Sequence, residues 1–509
     1  MVPVIASRSW CPAIDAPALP QRRFSWLTKR TGWVVPTEHT TIISFAASGF
    51  YVHWVKELTN QLGGAVSTDE GARQTAATDF GRVVSRLPQA VVHPRSAQDV
   101  ARVVRFAARE GLSLSTRGAG HSQSGQSLSS HIALQMDSLG GIHRLDAGEG
   151  AVTCGGGTAW RSLLAEASPL GLSPPVLTNN LDVSVGGTLS TGGLGVASWR
   201  YGTQADHCLE LEVVTGDGDI VRCSAEVNAE LFNAVRAGMG QFGVITEARL
   251  RLRRHQPSVR TFLLLYDDLT YLLEDLRTLL AEERFDYLES WSVPCAQGFK
   301  KVSGARQPFA QWFYPLHLTF ETGEAPPAPG EKLAGLRFYR LVHTEDSAID
   351  DFFSRLDALF AIWKQTGVWD FAHPWMECIL PWDSAQFYIT QVLASLPPHA
   401  IAGGHILLWP AQGSASGSPL FMRPPGEYVM GFGILPAVPP QRLNEALARL
   451  NQASAASMLV GGKRYLSGWV AFDPAQWKAH YGAMWPTLVD LKHKFDPKGV
   501  FNPGFIAFP

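Results

Sequence analysis

The chain has 509 residues, 46% of them apolar and 17% charged, with 43 basic against 45 acidic side chains and a formal net charge of -2. At roughly 100 to 200 residues per domain it holds at least two lobes, each able to bury a core, and 26 Phe, 16 Trp and 11 Tyr exclude a disordered chain. Balanced charge with no long Lys/Arg run excludes a surface built to grip a polyanion, so no nucleic acid is expected as a partner.

Residues 1–60 are rich in Pro, Trp and Thr, with basic triplets at 22–24 and 28–30, and carry no periodicity. They are expected to be an N-terminal extension of unknown role. Regular patterning starts near Leu87: a short buried strand over 90–93 (AVVH), a helix over 97–110 with apolar residues at helical spacing, and a strand over 112–115. A glycine-rich loop follows at 116–126 (TRGAGHSQSGQ), then strands over 132–136 and 152–155. A second glycine-dense run, 185–195 (VGGTLSTGGLG), reads as a loop, and 209–223 reads as a hairpin turning through GDGD at 216–219. A helical turn at 231–235 leads to a third glycine-rich turn, 238–246 (GMGQFGVIT), and a strand over 247–252. Composition shifts near 253–257. Amphipathic helices at 269–282, 348–363 and 441–452 then mix with Trp- and Tyr-bearing strands and Pro/Gly linkers such as 324–330. A helical run at 477–494 precedes FDPKGVFNPGF at 495–505. The expected partition is an extension 1–60, a first lobe 61–256, a second lobe 257–464, and a tail 465–509 that returns to the first.

Glycine lets backbone approach a ligand closely, and consecutive N–H groups can converge on a phosphate. The loop 117–126 has that chemistry. It does not end in Gly-Lys-Ser/Thr, and Gly118, Gly120 and Gly125 miss the GxGxxG spacing of a nicotinamide fingerprint. The glycine loops are therefore either tight turns or a cradle whose ligand the spacing does not name. His121 stands between Gly120 and Ser122, where small neighbours leave its imidazole accessible. No HExxH, zinc spacing or GxSxG elbow occurs, so neither a metal nor a serine nucleophile is expected. Cys11, Cys154, Cys208, Cys223, Cys295 and Cys378 are scattered without a CxxC pair, which suits a reducing compartment. The stretch 42–55 (IISFAASGFYVHWV) is too short to cross a bilayer and lies too deep for a signal peptide. A cytoplasmic location without a membrane partner is expected, with secretion left open by the unexplained extension.

The loop RGAGHSQSGQ at 117–126 resembles the RGxGHSxxGQ loop of the cytokinin dehydrogenase group within the vanillyl-alcohol-oxidase-type, or PCMH-type, FAD-binding flavoproteins. SVGGTLSTGGLG at 184–195, WRYGTQADHCLELEVVTGDGD at 199–219 and FGVIT at 242–246 are similar to the same family's flavin domain. FDYLESW at 285–291, FAHPW at 371–375, GHILLWP at 404–410 and the closing FDPKGVFNPG at 495–504 extend the resemblance over about 87–509. It implies an α+β protein: a two-lobed PCMH-type FAD-binding domain plus an α+β substrate (cap) domain with an antiparallel sheet.

The resemblance implies FAD as cofactor, joined through its 8α-methyl group to His121. It places Gly118, Gly120, Ser122 and Gln126 around the pyrophosphate, Ser190 and Leu194 along the cleft, and Ile245 at the ring edge. Arg117, Ala119, Ser184, Gly187 and Val244 are further cofactor-binding candidates, joined by Tyr465 and Asn502 from the tail. The family's catalytic Asp falls on Asn179, whose neutral amide can orient a substrate but cannot take its proton. Asp182 is the neighbouring carboxylate, although in an alternating strand it would face the other way. Glu289 matches the family's acidic residue of the substrate domain. The implied reaction is oxidation of the C–N bond of a secondary amine, an N6-substituted adenine or related small molecule, by hydride transfer to flavin N5. The resulting imine is hydrolysed, and oxygen or a quinone takes the electrons. Trp291, Trp312, Trp363, Trp369, Trp375, Trp382 and Trp409 offer stacking surfaces, most of them expected in the core. Two alternatives remain: oxidation of an alcohol or sugar with His405 or His373 as base, and a flavin-binding homologue without turnover.

Overall fold

A computed structural model describes residues 44–509 apart from 303, 324–328, 402–403 and 414–416. The expectations for residues 1–43, including both basic triplets and Cys11, and for most of the linker 324–330 lie outside the described residues. Chain contacts divide the protein into Met1–Gly49 and Phe50–Pro509, and all of the sheets lie in the second unit.

The first lobe opens on a four-stranded sheet in the order Val66–Ser67, Ala90–Val92, Ile132–Gln135, Leu114–Arg117, with the last three parallel. Its crossover is the helix Ala97–Glu110, started by Ser96, whose hydroxyl accepts from the Asp99 N–H, and stopped by left-handed Gly111. Val100, Val103, Val104 and Ala107 fall on one stripe of that helix and pack on the sheet. Trp54, Val55, Leu58 and Leu62 of the helix Ser44–Leu62 pack into the same core. The core thus begins before residue 61, and the supposed extension contributes to it.

A five-stranded antiparallel sheet follows, ordered Ile142–Asp146, Ala151–Gly155, Val244–Arg251, Cys208–Val214, Ile220–Ser224. The run 185–191 is a helix, Val185–Thr191, rather than a loop. Two glycines and β-branched residues disfavour a helix locally. The small residues earn their place by close approach instead, since a Cβ on Gly186 would stand 2.9 Å from the Gly156 carbonyl oxygen.

The second lobe is an eight-stranded sheet ordered Arg340–Ala348, Ser258–Tyr266, Ala305–Thr322, Tyr287–Val302, His405–Gln412, Tyr428–Leu435, Met376–Pro381, Lys463–Arg464, with every pair antiparallel. The helices Leu269–Ala281, Trp382–Ser395 and Leu443–Leu459 supply apolar side chains to the core over one face. The other face turns towards the first lobe. The helix expected over 348–363 is two pieces, Ile349–Phe353 and Asp357–Gln365. Ile349, Phe352 and Phe353 are drawn into the first lobe's core, and Arg355 sits in the break.

The tail helices Pro474–Tyr481 and Trp485–Phe495 are separated by a tight turn at Gly482–Met484 instead of forming one run. The tail then lies along the first sheet: the Leu114 N–H donates to the Val500 carbonyl, and the Asn502 N–H to that of Leu114. Buried Lys492 ties this return, donating to the Asp496 carboxylate at 2.7 Å and to the Gln241 and Phe501 carbonyls at 3.0 Å each. Among the described residues no helix is long and apolar enough to cross a membrane, and no cluster of His, Cys, Asp and Glu has metal-binding geometry.

Candidate active site

A cavity of about 280 Å³ lies between the glycine-bearing segments of the first lobe, the open face of the eight-stranded sheet and the tail. Of the residues expected at a cofactor, Gly118, Ala119, Gly120, His121, Ser122, Gln126, Ser184, Gly187, Ser190, Leu194, Val244, Ile245, Tyr465 and Asn502 line it, together with Asn179 and Glu289. These positions span nearly 390 residues of sequence, and only the folded chain brings them together.

The loop after the strand Leu114–Arg117 is shaped by contacts that tolerate no side chain. A Cβ on Gly118 would stand 2.0 Å from the Ser184 hydroxyl oxygen, and Gly120 has φ +68° with Arg117 packed beneath it. Arg117 therefore lies behind the loop and is absent from the lining, contrary to its expected place at the cofactor. Its neighbour there is Asp79, which the sequence analysis did not single out. Asp79 accepts from the Ser122 hydroxyl at 2.9 Å and the Gly125 N–H at 2.8 Å, and burial pushes its carboxyl up to about 6. The Gln126 amide is likewise committed. Its Nε2 donates to the Leu466 and Gly468 carbonyls at 2.9 and 3.0 Å, and its Oε1 accepts from the Ser124 N–H at 2.7 Å. Ser122 and Gln126 thus anchor the loop and strap the tail, and their polar side-chain atoms are already engaged.

His121 stacks on Phe80 with ring centroids 4.2 Å apart, and Trp375 meets it edge-on at 5.8 Å. Burial, with His373 adding to it, pushes its pKa down to about 4, so the imidazole is neutral at pH 7 and keeps a free lone pair. His373 itself is sandwiched between Phe80 at 4.2 Å and Trp363 at 5.5 Å and is not part of the lining. That placement removes it as a base. His405 does line the cavity, stacked 5.2 Å from Trp291, with its pKa pushed down to about 4 by burial.

Asn179 and Glu289, 110 positions apart, meet at 2.9 Å, the amide donating to Glu289 Oε1. Arg355 completes the group: its Nη2 donates to Asn179 Oδ1 at 2.6 Å and stands 3.5 Å from Glu289 Oε2. Burial opposes ionisation of Glu289, but Arg355, His317, the Asn179 hydrogen bond and His405 outweigh it and hold the carboxyl below its usual value. Glu289 is a fixed anion. Asp182 is not: residues 178–183 are irregular rather than a strand, and its carboxylate is outside the cavity, gripped by Arg161 at 2.5 Å. Arg161 also holds Asp357 at 2.9 Å, so Asp182 belongs to a bridge between lobes and cannot serve as the substitute base.

Two residues of the site, one of them in the lining, carried no sequence signal. Glu377 is buried, and desolvation pushes its carboxyl up to about 7 against the Ser467 hydrogen bond and the Arg464 charge. Arg355, whose position in a helix break no pattern announces, is not in the lining and acts from behind it, through Asn179 and Glu289. Among the seven tryptophans considered, Trp375 and Trp409 line the cavity.

Buried polar atoms without a protein partner are costly, and four belong to lining residues: Gln123 Oε1, Asn502 Oδ1, Trp375 Nε1 and Trp409 Nε1. Such atoms, a side-chain-free cradle at Gly118 and two indole surfaces suit a polar dinucleotide with a flat ring system, and FAD fits this donor and acceptor set.

The fold and site define an FAD-dependent oxidoreductase. Residues 88–224 match a family described as FAD binding domain, and 330–508 one described as cytokinin dehydrogenase 1, FAD and cytokinin binding. An uncharacterised oxidoreductase of the fasciation locus of Rhodococcoides fascians is 31% identical over 446 residues, covering 87% of this chain and 99% of that protein. Cytokinin dehydrogenase 4 of Oryza sativa subsp. japonica is 32% identical over 88% of this chain and 91% of its own, and cytokinin dehydrogenase 1 of Arabidopsis thaliana 29% identical over 87% and 82%. The chain belongs to the cytokinin dehydrogenase family of FAD-dependent oxidoreductases.

Proposed function

We propose that this enzyme oxidises the C–N bond of a secondary amine carried on a flat heteroaromatic ring, an N6-substituted adenine, to an imine that water hydrolyses. The observation that carries the reading is buried Glu289, held by Asn179 and Arg355 and lining with Asn179 a cavity with two indole surfaces and unpartnered indole N–H groups. When bound, FAD accepts the hydride from the substrate carbon and passes the electrons to oxygen or a quinone.

The residues of this chain do the placing. Ionised Glu289 accepts an N–H of the substrate, and Asn179 and Arg355 keep that carboxylate charged and fixed in direction. Trp375 and Trp409 offer faces to the ring. The apolar lining excludes water, which strengthens each of these contacts. His121, neutral and wedged against Phe80, is the residue that would hold the flavin covalently. An alcohol would need a stronger base than His405, whose pKa near 4 makes it a weak one, and this favours the amine.

The reading is tested by adding N6-isopentenyladenine to the holoenzyme without oxygen. Loss of the yellow colour, with adenine and an aldehyde as products, is the expected result. Unchanged colour with a panel of N6-substituted adenines would overturn it. His121→Ala is expected to release all of its flavin into the supernatant on acid precipitation, while the parent's precipitate stays yellow. A colourless parent precipitate would refute the covalent bond.

A further inference from the structure

Neutral Asn179 and permanently ionised Glu289 leave no group that takes the proton from the substrate nitrogen, and the register of the eight-stranded sheet supplies one. Across four adjacent strands the paired positions run Trp291, Leu407, Gly433, Glu377, so these residues stand on one face, the face that lines the cavity. One row over, Trp409 pairs with Gly431. A Cβ on Gly431 would lie 2.1 Å from Trp409 Cε2, and one on Gly433 3.4 Å from Trp409 Cζ3. The indole therefore lies across two glycines and occupies the space their side chains would fill. Its Nε1 is buried without a partner. Glu377 Cγ is 3.3 Å from the same Gly433 position, which brings this side chain to the edge of the indole platform, on the side away from Glu289.

The carboxyl of Glu377 is lightly held. Its Oε2 accepts from the Ser467 hydroxyl at 3.3 Å. Arg464 is the neighbouring cation, but its guanidinium donates to the Glu377 backbone carbonyl at 2.8 Å, to the Ser454 hydroxyl at 2.6 Å and to the Trp469 carbonyl at 2.7 Å. Other titratable groups are around the cavity or beside Glu377. His121 and His405 are pushed down to about 4, Cys378 and Tyr465 up to about 12, and Glu289 lies below its usual value. Glu377, pushed up to about 7, is the one among these whose charge changes between pH 6 and 8. Two carboxyls whose surroundings drive their pKa values apart divide the roles of fixed anion and base.

We propose that Glu377 is the catalytic base of this enzyme, receiving the N–H proton of a secondary amine that lies on the Trp409 indole with its ring end held by Glu289. The N–H bond breaks with its electron pair left on nitrogen, and an O–H bond forms on Glu377. The nitrogen pair becomes the second bond of C=N as the hydride of the neighbouring carbon leaves for FAD. This assignment rests on the amine oxidation proposed above, and its test is arranged to fail separately from it.

The test compares the holoenzyme with Glu377→Gln and Ser467→Ala in two measurements between pH 5.5 and 8.5. The first is kcat/KM for N6-isopentenyladenine. The second is calorimetric binding of N6-tert-butyladenine, which has the N–H but no hydrogen on the adjoining carbon and cannot be oxidised. In the parent both rise with pH through about 7, because the carboxylate form accepts the N–H. Glu377→Gln is expected to lower kcat by at least 100-fold and to bind the analogue with no pH dependence. Ser467→Ala, which removes a hydrogen bond to the ionised form, is expected to move both midpoints to higher pH. A midpoint near 7 that survives in Glu377→Gln, or that does not move in Ser467→Ala, would overturn the assignment and leave amine oxidation standing. A parent that binds the analogue with the Glu377-dependent profile yet oxidises no amine would overturn the reaction and keep the proton-accepting site.

Discussion

Replacing Arg355 with Met keeps the length of the side chain and removes the charge beside Glu289. The guanidinium nitrogen is 3.5 Å from Glu289 Oε2, a separation worth about 5 kcal/mol at an effective dielectric near 20. The Arg355 side chain is 22% exposed, and its charge is spread over three nitrogens, so about half of that figure, ~2.5 kcal/mol, is a fair net value once water screens it. Without that charge the Glu289 carboxyl should rise, because burial then opposes its ionisation with less to offset it. In the parent its folded value lies below the unfolded one, so it adds stability above the unfolded pKa and loses it as the pH falls through the folded value. In the variant the folded value is higher, so less of that stability is present once the carboxyl ionises. The gap between parent and variant thus widens with pH. Loss of the 2.6 Å hydrogen bond to Asn179 adds about 1 kcal/mol at every pH. Urea unfolding followed by tryptophan fluorescence should show Arg355→Met less stable by about 1 kcal/mol at pH 3.5 and by about 3 to 4 kcal/mol at pH 7.5. An equal loss at both values would refute the reasoning, because Arg355 would then contribute packing or a hydrogen bond and no charge to Glu289.

Asp182→Asn should leave kcat and KM within about twofold and lower stability by less than about 1 kcal/mol, since the Arg161 pair is largely exposed. A 100-fold loss of kcat would return Asp182 to the chemistry. Gln126→Leu removes the amide that spans the 117–126 loop and the 466–468 backbone and leaves buried carbonyls unpaired, at about 1 to 3 kcal/mol each. It should lower the thermal midpoint and the flavin content per chain together. Normal flavin content with unchanged stability would show that the strap is dispensable.

Local physics explains what was legible. The helix Ala97–Glu110 shows itself through its cap, its apolar stripe and Gly111, all between Ser96 and Gly111. The loop at 117–126 declares a close backbone approach through its glycines, but its small neighbours did not reveal that Phe80 and Trp375, from distant segments, pack on His121. The helix Val185–Thr191 was hidden because its composition opposes helix and only the packing of Gly186 on Gly156 requires it. Asn179 and Glu289 could be named, but their 2.9 Å contact could not, since the groups lie 110 residues apart.

The acids show the same division. By itself the sequence determined that the chain is a two-lobed α+β flavoprotein, that a carboxylate is missing at position 179, and that Glu289 and Asp182 were the acids nearest the resemblance. It offered no way to rank Glu377 among 45 acidic side chains. Tertiary structure decided that Asp182 is held by Arg161, that Glu289 is kept ionised by Arg355, and that Glu377 is buried at the edge of Trp409. The reason is that burial and partners set the pKa and reach of a carboxyl. Here those come from strand register and from residues tens to hundreds of positions away, which no local pattern encodes.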